Sequence, residues 1–433
     1  MSTEAVFATE SATYADADAA LRGVLRHVSQ ASDVAAVTTG ADKVKDGTRE
    51  QLGHSFIIAS SRDRIVANAG MTLDLTVAVA RFVWMVSGNN RLADIAFSEE
   101  KVRAFSDDGI IVPGSSYGMR IRQAHPGVDQ LQGAISRLKQ DPNSRRAAIV
   151  IWSALDAVRE SNDIPCAFGM FFHIRGGRLQ TQIVMRSNNA TVLLPFNMFE
   201  FTMLAEVIAA EVGVEIGQVR YTAASMHTYE KLAVLTERIA SDTSKKLSAP
   251  MEAMPADVFP QLERLVQFEA EMRHGSADIN DASIADWISK AKEKLKPYWA
   301  QMALLLLVQA AKRNCSAHGH EVLKASLNSD YRNLVRFGAG KVAPSEHSII
   351  GDLFTTHTVG ENIINFPGSP SAELFKVRVA ELERHMGTAL TANETLSLQD
   401  RIFGRLAARG SSREGSISLD EMRQSLEAIR RGI

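Results

Sequence analysis

The sequence predicts a mixed α/β (α+β) domain, a mixed sheet packed with helices, followed by a mostly helical C-terminal extension. Three observations predict it. Between Ala147 and Arg186, three short apolar runs are separated by turns, with Gly176-Gly177 as a hairpin signal between the last two. Long apolar segments of helical length flank them at Leu73–Val86 and Asn197–Val212. After about residue 235 the strand-like runs cease and helical patterns dominate. The expected organisation is an N-terminal helical segment (1–45), an α/β core (46–235) and the extension (236–433).

In chain order, an Ala-rich stretch near Ala17–Val28 reads as the first helix, and strand-like material begins around His54–Ile58. The segment from Leu73 ends at Ser87-Gly88, a plausible helix stop. Residues 105–118 read as loop and Val128–Lys139 as an amphipathic helix. The strands are Ala147–Trp152, Ala167–Ile174 and Leu179–Met185. Ile239–Pro255 is polar and proline-bearing and suggests a linker, with helices over Phe259–Leu334. Pro344–Pro370 looks irregular, and the last helix opens on Ser418-Leu-Asp-Glu421, a capping-box pattern.

With 433 residues, one large domain plus an appendage is the prior. The 45% hydrophobic and 23% charged content fits a soluble globular chain, and a net charge of -2 argues against a nucleic-acid-coating protein. Two cysteines, Cys166 and Cys315, exclude a disulfide framework and an all-cysteine metal site, and no metal site is expected. The acidic N-terminus lacks a secretory core, and the longest apolar run, Met302–Val308 with alanines after it, falls short of the ~20 residues that span a bilayer. The expectation is a cytoplasmic protein that binds neither membrane nor nucleic acid.

Asp163-Ile-Pro-Cys166 puts a thiol at the start of a strand. Alone, such a cysteine is a buried small hydrophobe. It becomes a nucleophile where neighbouring arginines lower its pKa. Ser144-Arg145-Arg146 precedes one strand and Arg186-Ser187 follows another. Guanidiniums beside hydroxyls suit a phosphate, although any one pair is equally a solvated surface. Asn197 heads an apolar helix and reads as a simple N-cap, and His227 and Tyr229 read as half-buried residues.

Taken in order, these pieces form a pattern. Asp129-Gln130, Asp141-Pro142-Asn143-Ser144-Arg145-Arg146, Trp152, Pro165-Cys166, Arg186-Ser187-Asn188, Pro195-Phe196-Asn197 and His227-Thr228-Tyr229 together resemble the thymidylate synthase family, which includes the pyrimidine nucleotide hydroxymethylases. The resemblance covers roughly residues 45–230, with Trp84, Ser87-Gly88 and Tyr117-Gly118 in matching places.

The resemblance implies a thymidylate-synthase-like catalytic core and a one-carbon transferase. Cys166 would add to C6 of a pyrimidine nucleoside monophosphate of the dUMP or UMP type, making C5 a carbon nucleophile toward 5,10-methylenetetrahydrofolate. Arg49, Arg186 and Ser187 would hold the phosphate, and Arg145 and Arg146 would reach the phosphate of a neighbouring subunit, implying a homodimer. The arginine cluster would also favour thiolate over thiol. Asn197 would read the base edge, an amide suiting uracil and a carboxylate cytosine. His227 and Tyr229 would hold the 3′-hydroxyl, and neither tests ribose against deoxyribose. Tyr117 would serve removal of the C5 proton, and Asn189 falls where a family aspartate contacts folate.

Several positions depart from the family. Arg81 stands where the family usually has a glutamate, Ala167 where it has a histidine after the nucleophile, and Leu193 in place of a glycine. No tryptophan pair occurs in residues 90–110, and the family's closing tail is not recognisable after Tyr229. All these changes fall on the folate and proton-transfer side, leaving methyl and hydroxymethyl products both open. The alternatives are a nucleotide-binding homologue that has lost the transfer, or a cofactor-free reaction at C5. A cysteine hydrolase built on Cys166 and His227 lacks an oxyanion-hole motif.

Overall fold

A computed structural model describes residues 11–31, 33–37, 46–123, 127–337, 382–384, 386, 390, 398 and 419–430. Backbone contacts divide the chain into two compact units, Met1–Thr355 and Thr356–Ile433. The first is built on strands β1 (Ala12–Tyr14), β2 (Asp33–Val37), β3 (Asp46–Ile58), β4 (Ala148–Val150), β5 (Ala167–Arg175), β6 (Arg178–Asn189) and β7 (Glu215–Tyr229). Its helices before the last strand are α1 (Ala17–Ser29), α2 (Leu75–Ser87), α3 (Leu92–Ala96), α4 (Tyr117–Arg122), α5 (Gln130–Gln140) and α6 (Leu194–Val212). After β7 come α7 (Ala233–Ser241), α8 (Val258–His274), α9 (Ile284–Lys294), α10 (Pro297–Asn314), α11 (Ala317–Ser326) and α12 (Ser329–Arg332).

The strands form one mixed sheet in the order β1-β3-β7-β6-β5-β4, with β2 also paired to β3. The β5–β6 hairpin turns at Gly176 and Gly177, both at positive φ (59° and 70°), the backbone that a two-residue hairpin loop needs. Next to it, β6 and β7 run parallel, so both present their C-terminal ends at the same edge, with Ser187 opposite Ser225 and Asn189 opposite His227. Cys166 lies one residue before β5, and its carbonyl accepts from the Arg186 N–H at 2.8 Å. One end of the sheet thereby gathers the nucleophile candidate and the residues closing β6 and β7.

Helix α6 is apolar all round because it lies in the core; even its polar Asn197, Glu200, Thr202 and Glu206 are buried. Helix α2 starts on Asp74, whose side chain accepts from the Thr76 and Val77 N–H groups, and stops at Gly88 in the left-handed region (φ 73°). Helix α10 buries Trp299 and every residue from Met302 to Val308, packing against α2, α8 and α9. Burying each such large aliphatic side chain contributes ~1.5–3 kcal/mol. In the second unit, helix Leu419–Arg430 buries Met422, Ser425 and Leu426 at helical spacing.

Several elements differ from expectation. The strand expected from His54 begins at Asp46, and the 15-residue β7, central in the sheet, buries alternate residues Val219, Tyr221 and Ala223 and then changes phase to bury Met226 and Thr228. β1, three residues from the stretch expected to be helical, joins the sheet edge beside Phe56–Ile58. Ile239 belongs to α7, and the supposed linker after it is docked. Lys246 pairs with Asp16 and Asp63, the Leu247 and Met251 N–H groups donate to Ala67 and Arg62, and Met251 and Met254 are buried. Pro344–Pro370 and Ser418 lie outside the described residues.

Candidate active site

A cleft of about 510 Å³ opens at the C-terminal ends of β6 and β7. It is walled by Tyr117, Cys166, Arg186, Ser187, Asn189, Asn197, His227 and Tyr229, all expected from the sequence to act at one site. Each is placed by its local fold. Tyr117 opens α4, which approaches α2 so closely that a Cβ on Gly118 would come within 2.0 Å of the Met85 carbonyl oxygen. The Tyr117 ring stacks on Phe201, 5.7 Å between centroids. The loop before Cys166 is clamped by Asp163, whose carboxylate accepts from the Gly114 and Ser115 N–H groups at 2.7 and 2.6 Å and from the Ser115 hydroxyl.

Arg186 is held over that same loop. Its Nε and Nη2 donate to the carbonyls of Pro165 and Ile164, each at 2.9 Å, and its guanidinium lies over the Trp152 ring. Nη2 is 3.9 Å from the Cys166 sulfur. Even so, the thiol sits above its ordinary pKa. Burial raises it, Arg186 opposes, and Asp163 adds to the rise. The expectation that an arginine cluster favours the thiolate is therefore corrected: one arginine adjoins the sulfur, and desolvation outweighs it. Tyr117 is likewise held well above a phenol's usual range, by burial first and then by Cys166, Glu200 and Asp163.

Asn197 is not an N-cap. Helix α6 begins three residues earlier, with Pro195 in its first turn, and Asn197 is buried inside it, accepting from the Asn188 amide at 2.7 Å. That bond fixes the side chain that faces the cleft. The Asn189 side-chain oxygen Oδ1 accepts from the Thr191 and Val192 N–H groups and so shapes the turn into α6. The Ser187 hydroxyl and His227 Nδ1 are 3.3 Å apart, and His227 meets Tyr229 edge-on. Three other expected residues are not in the walls. Arg49 donates to the Ser29 carbonyl at 2.6 Å on the β3 surface, and Arg145 and Arg146 are exposed on the loop before β4.

Burial lowers the pKa of His227 to about 4, with Glu50 opposing and Arg186 assisting, and His54 falls to about 4 by burial and the nearby His27. Both rings are neutral at pH 7. The unfolded chain takes up these protons near pH 6.5 and the folded chain only near 4, so acidification through that window favours unfolding. Chemical denaturation at pH 7 and pH 5 should show a lower midpoint at pH 5, and His54→Gln should reduce the difference.

Sequence reasoning marked Arg81 only as a departure from the family and missed its grouping with Glu99 and Glu200 beside the same cleft. Arg81, on α2, donates from Nε to the buried Glu200 and from Nη1 to both Glu99 oxygens at 3.1 and 3.3 Å, and lies over the Phe196 ring. Burial works against its charge, but Glu200 and Glu99 more than compensate, so Arg81 stays cationic. Burial raises Glu200 above its ordinary value against the pull of Arg81. Arg81 and Glu99 line the cleft, as do Glu50 and Lys231. A second chamber of about 420 Å³ shares Glu99, Val192 and Leu193 with the first. Leu334–Arg336 and Lys312, from the extension, help to wall it.

Residues 28–285 match the family model described as thymidylate synthase. The chain belongs to the thymidylate synthase family. Within this family it is 34% identical over 186 residues to the deoxyuridylate hydroxymethyltransferase of Pseudomonas phage M6, covering 41% of this chain and 52% of that protein. It is 26% identical over 223 residues to the deoxyuridylate hydroxymethyltransferase of Bacillus phage SP01, covering 49% and 57%. The chain thus spans about half the length of the curated relatives it matches. The crystal structure of thymidylate synthase from T4 phage superposes with a TM-score of 0.43 at 20% identity, covering 52% of this chain and 81% of that one. No helix among the described residues is long and apolar enough to cross a membrane.

Proposed function

We propose that this family member transfers a one-carbon unit to C5 of a dUMP- or UMP-type nucleotide through covalent attack of Cys166 on C6. The observation that carries this reading is the convergence of Cys166, Arg186, Ser187, Asn197, His227 and Tyr229 on one cleft beside a second chamber. The sulfur bonds to C6, the electron pair of the C5–C6 double bond moves toward O4, and C5 becomes nucleophilic. Tyr117 stands beside Cys166 to relay the C5 proton. Arg186 and Ser187 hold the phosphate, and neutral His227 with Tyr229 takes the 3′-hydroxyl. Asn197 donates to O4 and accepts from N3–H, its amide oxygen pre-set by Asn188.

The second chamber suits a reduced folate such as 5,10-methylenetetrahydrofolate. Leu73, Val192, Leu193, Phe196 and Leu235 offer apolar surface to an aromatic ring system, and Lys101, Arg238, Lys312 and Arg336 offer charge to carboxylates. Bound there, the carrier would supply the one-carbon unit, and Asn189, in the wall of the adjoining cleft, would contact it. On this reading residues 46–235 carry the nucleotide chemistry, and Lys312 and Leu334–Arg336 of the extension help to complete the donor side.

A homodimer accounts for two further features. Val150, Phe168 and Phe171 leave an exposed apolar patch on β4 and β5, on the sheet face that the helices do not cover. Stacking two copies there would bury the patch and bring Arg145 and Arg146 toward a partner's phosphate, with Arg49 as a further phosphate ligand once the nucleotide is bound.

The test is tritium release from C5-labelled dUMP, UMP, dCMP and CMP with and without methylenetetrahydrofolate. Release from a uracil nucleotide that requires the carrier is expected, and no release from any nucleotide would overturn the proposal. Asn197→Asp should shift preference from uracil toward cytosine by about 10²-fold, because a carboxylate accepts from the cytosine amine but sets an acceptor against uracil O4 in place of the amide donor. Comparing kcat/KM for dUMP and dCMP in the same assay checks this.

A further inference from the structure

The cleft contains three carboxylates in its walls, and only one of them is placed to serve the boundary with the second chamber. Asp163 is consumed by the Gly114–Ser115 loop, on which both its oxygens accept. Glu50 is bound to Ser225 and faces His227, at the end of the cleft assigned above to the sugar. Glu200 is buried behind Arg81 and lines neither cavity. Glu99 lines both. Its two oxygens share a single guanidinium nitrogen of Arg81, and its side chain is 18% exposed, so the carboxylate stays partly open to solvent. Arg81 is itself fixed by Glu200 and Phe196. The group as a whole is one cation between two carboxylates, and the carboxylate at the surface is held but not neutralised outright.

We propose that Glu99 is the general base that delivers water to the one-carbon group at C5, so that this enzyme makes a hydroxymethyl nucleotide, with Arg81 as its positioning residue. The inference rests on the Cys166 reading above. Once the carrier has departed and the C5 proton has been removed, the nucleotide bears an exocyclic C5 methylene while its C6 remains bonded to the Cys166 sulfur. Water adds its oxygen to that methylene carbon and gives a proton to the Glu99 carboxylate. The electron pair of the exocyclic double bond moves to C5 and O4. It then re-forms the C5–C6 double bond and expels the Cys166 sulfur as thiolate. No oxidant or reductant enters, and Glu99 later returns its proton to solvent. A carboxylate at the mouth between the two chambers adjoins the carbon that the donor has just delivered. The same position gives it access to water when the donor side is open.

The reverse of this step can be observed without any one-carbon donor. Incubated with 5-hydroxymethyl-dUMP or 5-hydroxymethyl-UMP in ¹⁸O-water, the full chain should exchange the hydroxymethyl oxygen. Cys166 adds to C6, protonated Glu99 gives its proton to the departing hydroxyl, and labelled water adds back. Glu99→Gln should slow exchange by at least about 100-fold, while calorimetric binding of the same nucleotide changes by less than about threefold. Glu99→Asp should recover part of the rate. Arg81→Met should displace the pH profile of exchange, the signature of a positioning role. Exchange in Glu99→Gln at the wild-type rate would overturn the assignment of Glu99, as would a wild-type enzyme that makes only the methyl product. Loss of exchange together with loss of nucleotide binding would overturn it in favour of a structural role. The Cys166 reading fails separately, by the absence of carrier-dependent tritium release from C5, whereas failure of the Glu99 assignment alone leaves that release intact.

Discussion

Replacing Cys166 with serine is expected to reduce tritium release from C5 by about 10⁴-fold or more while nucleotide binding stays within about threefold. The reason is chemical and local. A serine hydroxyl is nearly isosteric with the thiol, so the clamps on the preceding loop, Asp163 to Gly114 and Ser115 and Arg186 to Pro165 and Ile164, remain made. The hydroxyl is a far weaker nucleophile and a poorer leaving group from C6. Burial already holds the Cys166 thiol above its usual value against Arg186. The more acidic thiol can still ionise there; the alcohol cannot. Release rates with dUMP and the donor, alongside calorimetric binding, check both halves. A Ser variant that retains release would remove covalent catalysis from the mechanism.

The second large effect concerns stability. Glu206→Ala is expected to destabilise the first compact unit by about 3–5 kcal/mol, read as a lower midpoint in urea denaturation. Glu206 is buried on α6, accepts from Arg62 Nε at 2.6 Å, pairs with Arg64 and accepts from the Met254 N–H at 3.1 Å. Arg64 has no exposed surface. Removing the carboxylate leaves that guanidinium buried without its counter-ion and also releases the docked Met254 segment. Glu206→Gln retains hydrogen bonding but not charge, and should fall between wild type and alanine. Arg62, whose side chain is 27% exposed and which also pairs with Glu215, should cost much less when replaced.

Much of the site was legible before the fold. Cys166, Arg186-Ser187, Asn197 and His227-Thr-Tyr229 occur as short ordered motifs, and their spacing corresponds to the ends of neighbouring strands and the start of a buried helix. The hairpin at Gly176-Gly177 and the helices α2, α5 and α6 follow from patterns local to the chain: positive-φ glycines, apolar periodicity and stop signals. The strand β7 was not legible, because a strand packed between two others shows a pattern set by distant neighbours. Nor was the docking of the segment after α7, which is polar in sequence and held by Lys246 and by backbone bonds to residues 62–67.

The sequence by itself determined the family and singled out the residues proposed as nucleophile and as phosphate and base partners, because those depend on residue identity at fixed spacings. It also marked Arg81 as a departure. What Arg81 does was decided only in three dimensions. Glu99 is 18 residues away and Glu200 is 119, and no local pattern joins them. Burying one guanidinium requires counter-charge from whatever the fold brings near, and here packing of α2 against α6 supplies Glu200 and the turn after α3 supplies Glu99. The same holds for the thiol: arginines near in sequence suggested a lowered pKa, but burial, a property of the whole fold, set the direction.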